Sequence, residues 1–215
     1  MRWQPRVQPT GRRNGSKIED ATYFNTAVRA AIPRVSIRAV KRSLETKKFP
    51  HRVDDSLWFE SQVRIRGSLA RMIGAEPEEI AVTAGATTGA AAVAHGLEWR
   101  PGDEIITAQG EFPLHGVRLR TIAPHDRFIT ADDLIDELTP GTRMVSVSLV
   151  RYDDGTLLDA ARVSAACHAQ GTLLLLDVSQ ACGAVPMSVK DLGADFMVRA
   201  GYKWLLSCYG TGFSG

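Results

Sequence analysis

The sequence predicts an α/β protein, a three-layer α/β/α sandwich around a mostly parallel central sheet. Three observations lead there. From residue 80 onward, short apolar runs alternate with stretches of helical periodicity, the pattern of strands and helices in turn. The run Leu173-Leu174-Leu175-Leu176 is apolar at every position, so both its faces need burial, as in a central strand of a parallel sheet. With 215 residues, 44% hydrophobic and 23% charged, the chain has enough apolar material for a covered core and too little charge for a disordered one.

Taken in order, residues 1–17 carry Arg2, Arg6, Arg12, Arg13 and Lys17 with no acid and read as a basic flexible tail. A targeting peptide or a polyanion contact is the other reading, although no apolar stretch of secretory type follows. Residues 18–75 read as an N-terminal helical segment. The first helix is predicted over 30–46, with Ile32, Val35, Ile37, Val40 and Leu44 on its apolar positions. Pro33 sits near its start, where a missing N–H costs nothing. The second runs over 55–73, carrying Leu57, Phe59, Val63, Leu69 and Met72, with Gly74 as its stop. Residues 76–215 form the α/β domain. Its strands are predicted at 80–83, 104–108, 144–149, 172–177 and 194–198, and its helices at 87–96, 114–121, 131–138 and 159–169.

Composition excludes several functions. A net charge of +2, from 26 basic and 24 acidic residues, argues against a dedicated nucleic-acid binder. No apolar run approaches the roughly 18 residues that would span a bilayer. The three cysteines, Cys167, Cys182 and Cys208, are odd in number and not spaced as metal or redox pairs, so we expect free thiols in a cytoplasmic protein.

In open α/β sheets ligands sit at the carboxyl ends of the strands, so the residues just after each strand carry the functional reading. After 80–83 comes Ala84-Gly85-Ala86-Thr87-Thr88-Gly89, opening an alanine-rich helix. Small residues let backbone amides approach an anion at the helix N-terminus, and Thr87 adds a hydroxyl. An ordinary helix cap with a tight turn accounts for the same residues. The segment is neither a Walker loop nor a dinucleotide fingerprint, which removes a Rossmann-type dehydrogenase. After 104–108, Phe112 is a ring that can stack on a planar ligand or fill the core. Asp177 ends the all-apolar strand, where a carboxylate is costly unless paired. It either caps the next turn or serves as counter-ion to a cationic group, with Gln180 close by. After 194–198 comes Tyr202-Lys203-Trp204. Lys203 alone among six lysines lies in so apolar a setting, and a desolvated lysine becomes a nucleophile suited to Schiff-base chemistry. A lysine reaching to solvent is the plain alternative. Together these residues supply an anion cradle, a stacking ring, a carboxylate and an amine, the set that pyridoxal 5'-phosphate (PLP) requires.

The stretch LLLLDVSQACGAVPMSVKDLGADFMVRAGYKWLLSCYGTGF, with TAGATTGAAAVAHGL, WRPGDEIITAQGEFP and the short Tyr23-Phe24-Asn25-Thr26-Ala27, resembles the class V aminotransferase family of fold-type I PLP enzymes. That family includes cysteine desulfurases, kynureninase and isopenicillin epimerase-like proteins, and the similarity covers residues 23–213. The resemblance implies an enzyme that acts on an amino acid by aminotransferase, lyase or epimerase chemistry. Lys203 would form the Schiff base and move the proton at the substrate α-carbon. Asp177 would pair with the pyridinium nitrogen, Gln180 would bond the ring 3-hydroxyl, and Phe112 would stack on the ring. Ala86, Thr87 and Tyr202 would hold the phosphate. Phe112 and Tyr202, where desulfurases use histidine, lean toward the kynureninase and epimerase branch. The resemblance further implies a homodimer.

Three departures accompany it. The loop Leu149-Val150-Arg151-Tyr152-Asp153-Asp154 lacks the family's asparagine, and Ala200 replaces a serine or threonine. The C-terminal small domain, which bears the substrate-gripping arginine, is expected to be absent. The alternative is therefore a truncated, non-catalytic PLP-binding fragment, or one half of a split enzyme whose other half is a separate chain.

Overall fold

The computed structural model describes residues 22–111 and 119–215, so the basic stretch at 1–17 lies outside it. Two helices come first, α1 (Arg34–Lys47) and α2 (Asp55–Ile73). The side chain of Asp54 caps α2 by accepting from the Ser56 N–H at 2.9 Å, and Gly74 ends it in the left-handed conformation with φ 72°. There follow β1 (Ala81–Thr83), α3 (Ala86–Gly96), β2 (Glu104–Ala108), β3 (Leu119–Ile122), α4 (Ala131–Ile135), β4 (Thr142–Ser148), α5 (Ala160–Ala169), β5 (Leu173–Asp177), α6 (Val189–Leu192), β6 (Phe196–Ala200) and β7 (Gly212–Ser214).

The strands form one sheet in the order β1-β7-β6-β5-β4-β2-β3. Neighbours are parallel from β3 through β6, and β7 runs antiparallel to both β6 and β1. The all-apolar run is the middle of the sheet. Leu174 and Leu176 point into one core with Val145, Val147, Met197 and Phe213, covered by α2, α4 and α5. Leu175 points the other way, to Ile105, Met144 and Val198, covered by α3. Helices on both faces make the three layers that the sequence predicts.

Several boundaries move, each for a local reason. Strand β6 begins two residues later than expected because the Asp195 carboxylate accepts from the Leu174 N–H at 2.7 Å, and it runs on to Ala200, which pairs with Gly212. Helix α4 stops at Ile135, where the Leu138 N–H turns back to the Ile135 carbonyl at 3.2 Å. The helix expected over 114–121 is corrected at its end. Residues 119–122 are an edge strand, held parallel to β2 with Ala108 opposite Ile122, and ladder bonds outweigh local periodicity there. Its first part, 114–118, lies outside the described residues.

The apolar positions of α1 and α2 are largely uncovered. No residue of α1 is buried, and in α2 Ala70 and Ile73 are buried while Leu69 packs partly covered against the core. Leu44 is 62% and Val63 69% exposed.

Leu176 is fully buried and central to the larger core. Leu176→Ala is expected to lower unfolding free energy by about 2–5 kcal/mol, seen as a lower urea midpoint with unchanged slope.

Candidate active site

The carboxyl ends of β1, β2, β4, β5 and β6 meet on the α3 side of the sheet, around a cavity of about 250 Å³. Its floor is Leu175, Val198 and Ala200. One wall is the start of α3, with Gly85, Ala86, Thr87 and Thr88. That start has no side-chain cap, and the first N–H groups of a helix have no partner within it, so they are left for a ligand. Two glycines hold the wall in place. A Cβ on Gly89 would come within 3.0 Å of Val198 Cγ1, so its absence lets α3 lie directly on β6. A Cβ on Gly212 would lie 2.6 Å from the Gly85 Cα, so the β7 backbone presses on the turn from behind.

Asp177 closes β5 opposite Val198 of β6. It accepts from the Ser179 N–H at 2.7 Å, and the Ser179 hydroxyl oxygen accepts from the Ala200 N–H at 2.9 Å. Burial pushes the Asp177 carboxyl above the usual carboxylate range, against the pull of Ser179, Lys203 and Arg199. Lys203 lies on the tight turn after β6. The Leu206 N–H donates to the Lys203 carbonyl at 3.0 Å, and Leu206 takes a left-handed φ of 56°, unusual for a side chain with a Cβ. Burial lowers the Lys203 amine below the ordinary lysine range. Asp177 opposes that shift and Arg199 adds to it.

Of the residues expected from the sequence, Ala86, Thr87, Asp177, Tyr202 and Lys203 line this one cavity. Gln180 lines an adjoining hollow with Asp177 and Lys203. Its amide is already engaged: the Gln180 nitrogen donates to the Ala27 carbonyl at 3.0 Å, and its oxygen accepts from the Trp204 indole at 2.9 Å. With the Ala30 N–H bonded to the Tyr202 carbonyl at 3.0 Å, this stitches the N-terminal loop to the Lys203 turn. The second amide hydrogen of Gln180 is not used by these two bonds. Phe112 lies outside the described residues.

Sequence reasoning passed over Glu111, which lines the cavity one residue before Phe112. Its two oxygens accept from the Ser148 N–H at 2.9 Å and the Ser148 hydroxyl at 2.6 Å. Arg151 stands 3.7 Å away and also pairs with Asp153 at 2.7 Å. The loop that lacks the expected asparagine therefore contributes a cation. An acid three residues past a strand end was the available signal. Burial raises the Glu111 carboxyl, and Ser148 and Arg151 oppose the shift. The two buried thiols, Cys167 and Cys182, lie outside the cavity lining. Burial pushes Cys167 up to about 11 and also raises Cys182, so neither is an activated nucleophile.

The family model for aminotransferase class-V matches residues 23–213. The chain belongs to this class-V family. Class-V aminotransferases are enzymes that use PLP. Among curated relatives, a probable cysteine desulfurase of Methanothermobacter thermautotrophicus is 31% identical over 69% of this chain and 40% of its own length. The isopenicillin N epimerase of Streptomyces clavuligerus is 29% identical over 69% of this chain and 41% of its own. A solved variant of C-DES with glycine covalently linked to its PLP cofactor superposes with a TM-score of 0.81 at 24% identity, over 91% of this chain and 56% of that one, a likeness of fold. This class-V chain thus spans about two-fifths of the length of the curated relatives it matches. No helix among its described residues is long and apolar enough to cross a membrane.

Because the Glu111 carboxyl is raised from 4.5 in the fold, its contribution to stability is full in acid and is lost as pH rises through the raised value. Glu111→Gln removes that loss. The difference in urea midpoint between variant and wild type is expected to move in the variant's favour from about pH 4 to pH 7.

Proposed function

We propose that this chain binds PLP and holds it covalently through Lys203, as the core of an enzyme acting on an amino acid. One observation carries the reading. A lysine whose amine sheds its proton easily, a buried carboxylate and an uncapped helix start line the same cavity. PLP supplies an aldehyde for an amine and a pyridine ring that, when protonated, draws electrons from bonds to a substrate α-carbon. The chain's own residues match those needs. The N–H groups at the start of α3 and the Thr87 hydroxyl are donors for the phosphate, with Ala86 and Tyr202 beside them. Asp177 would accept from the ring nitrogen and keep that nitrogen protonated. The second hydrogen on the Gln180 nitrogen would be available to the ring oxygen, and Phe112 is the residue that the family resemblance would assign to stacking on the ring. Lys203 Nζ would be the group that carries a proton to and from the substrate α-carbon. The reaction is an aminotransferase, lyase or epimerase type.

The second reading is a PLP-binding body whose turnover requires a further segment or chain. It is favoured by the cavity lining, where no arginine stands among the described residues to grip a substrate carboxylate. We also infer a homodimer. The exposed apolar faces of α1 and α2 support it, continuous with the N-terminal loop that Gln180 ties to the cavity margin. The free thiols support a cytoplasmic location.

Adding PLP to the purified chain is expected to produce a visible absorption band, and borohydride followed by peptide mapping should find the cofactor on Lys203. Lys203→Ala should abolish the band. Label on another lysine overturns the assignment. Amino acids that change the band in a single turnover without multiple turnover select the second reading. Sedimentation velocity should give twice the 23.4 kDa chain mass, and a monomer at high concentration sinks the dimer.

A further inference from the structure

Trp204 follows Lys203 directly and has no part in the reading above. Its indole fixes which way round the Gln180 amide stands. A glutamine amide has two ends of similar shape and opposite polarity, an oxygen that accepts and a nitrogen that donates. Which end lies where is settled only by neighbours of fixed polarity. Gln180 has two of them. The Trp204 indole N–H can only donate, and it meets the Gln180 oxygen at 2.9 Å. The Ala27 carbonyl can only accept, and it meets the Gln180 nitrogen at 3.0 Å. Turned over, the amide would set N–H against N–H and oxygen against oxygen. Both neighbours would then be left without their partner at a residue only 9% exposed, which is costly.

The backbone braces this contact. Gly183 has a φ of 90°, and a Cβ there would come within 2.9 Å of the Trp204 carbonyl oxygen. The turn bearing Lys203 and Trp204 therefore lies directly on the segment that carries Gln180. The Ala30 N–H, bonded to the Tyr202 carbonyl at 3.0 Å, draws the N-terminal loop and its Ala27 carbonyl to the same turn. Gln180 also lines the hollow shared by Asp177 and Lys203. With the amide oxygen held by the indole and one hydrogen held by Ala27, the hydrogen that these bonds do not use is on the nitrogen.

We propose that Trp204 is a positioning residue for Gln180: its indole N–H holds the amide so that the nitrogen, and not the oxygen, is available to the hollow, and the site offers a donor to an oxygen on a bound ring. The inference rests on the cofactor reading for the identity of the ring. The orientation of the amide, however, belongs to the chain before any cofactor arrives.

The test begins in the full chain without cofactor, by NMR of protein labelled with nitrogen-15. In wild type the Trp204 indole hydrogen should exchange with solvent more slowly than that of Trp58, which is 57% exposed. Gln180→Met should speed the Trp204 exchange about tenfold, as expected for the loss of one hydrogen bond. Trp204→Phe keeps an aromatic ring and removes the N–H, and in it the side-chain amide hydrogens of Gln180 should exchange about tenfold faster. The second arm uses the chain loaded with PLP. A donor on the ring oxygen favours the form in which that oxygen carries no proton. The visible band should therefore titrate at higher pH in Trp204→Phe. Adding Trp204→Phe to Gln180→Met should move the band no further than Gln180→Met does alone. If Trp204→Phe does not fold, the indole exchange in wild type and Gln180→Met decides the proposal. A wild-type indole that exchanges as fast as Trp58 overturns it without any variant. So do Gln180 hydrogens unmoved in Trp204→Phe, or a band shift of equal size with and without Gln180, which would mark a disturbance of the Lys203 turn. Borohydride label away from Lys203 sinks the cofactor reading and leaves the exchange results interpretable. Label on Lys203 with a band that titrates at the wild-type pH in Trp204→Phe sinks only the role of Trp204.

Discussion

Parallel pairing of β5 with β6 places Asp177 opposite Val198, and this register determines where every charged group of the site can stand. The Val178 N–H donates to the Val198 carbonyl at 2.9 Å, and the Ala200 N–H donates to the Ser179 hydroxyl oxygen at 2.9 Å. These bonds lock the two strand ends together. A slip by one residue would turn Asp177 into the covered core and bring Val178 to the cavity. The buried ladder therefore does more than hold the sheet. It decides which face receives a carboxylate, and it puts the turn bearing Lys203 within the same enclosure.

Low polarity around that enclosure explains the electrostatics. Leu175, Val198, Ala90 and Ala200 surround the charged groups with hydrocarbon, so each charge is poorly screened and feels its neighbours strongly. Burial raises both Asp177 and Glu111 and lowers Lys203. All three shifts run toward the neutral form. A ligand that brings its own positive ring and negative phosphate supplies opposite charge where the folded chain most lacks it.

Much of this was legible in the sequence because it depends on short-range pattern. The all-apolar run at 173–176 identified the central strand, and the break in that run at Asp177 marked the end that opens on the cavity. The strand at Glu104–Ala108 and the helix at Asp55–Ile73 begin and end where periodicity and the Gly74 stop place them. Less legible were features set by distant partners. The edge strand Leu119–Ile122 owes its form to β2, and its own residues carry a helical spacing that misleads. Glu111 was hidden because its role depends on Ser148, 37 residues away. The engagement of Gln180 by Ala27 and Trp204 spans the chain, so spacing could not reveal it. The apolar faces of α1 and α2 were read correctly as apolar but not as exposed, since burial is a property of the assembled molecule.

The placement of β7 bears on how the molecule is made. Among the described residues, β1 joins the sheet through β7 alone, although more than a hundred residues separate them in sequence. The turn that follows β1 rests its Gly85 on Gly212, at the start of that same strand. During synthesis on a ribosome, the sheet from β2 to β6 can close while β1 and its turn have nowhere to dock. Only when the segment around Gly212 leaves the exit tunnel can β1 be captured and the start of α3 be set against β6. Completion of the cavity wall formed by the start of α3 is thereby tied to the emergence of β7, and a nascent chain halted just short of it would hold Asp177 in place with no finished wall opposite.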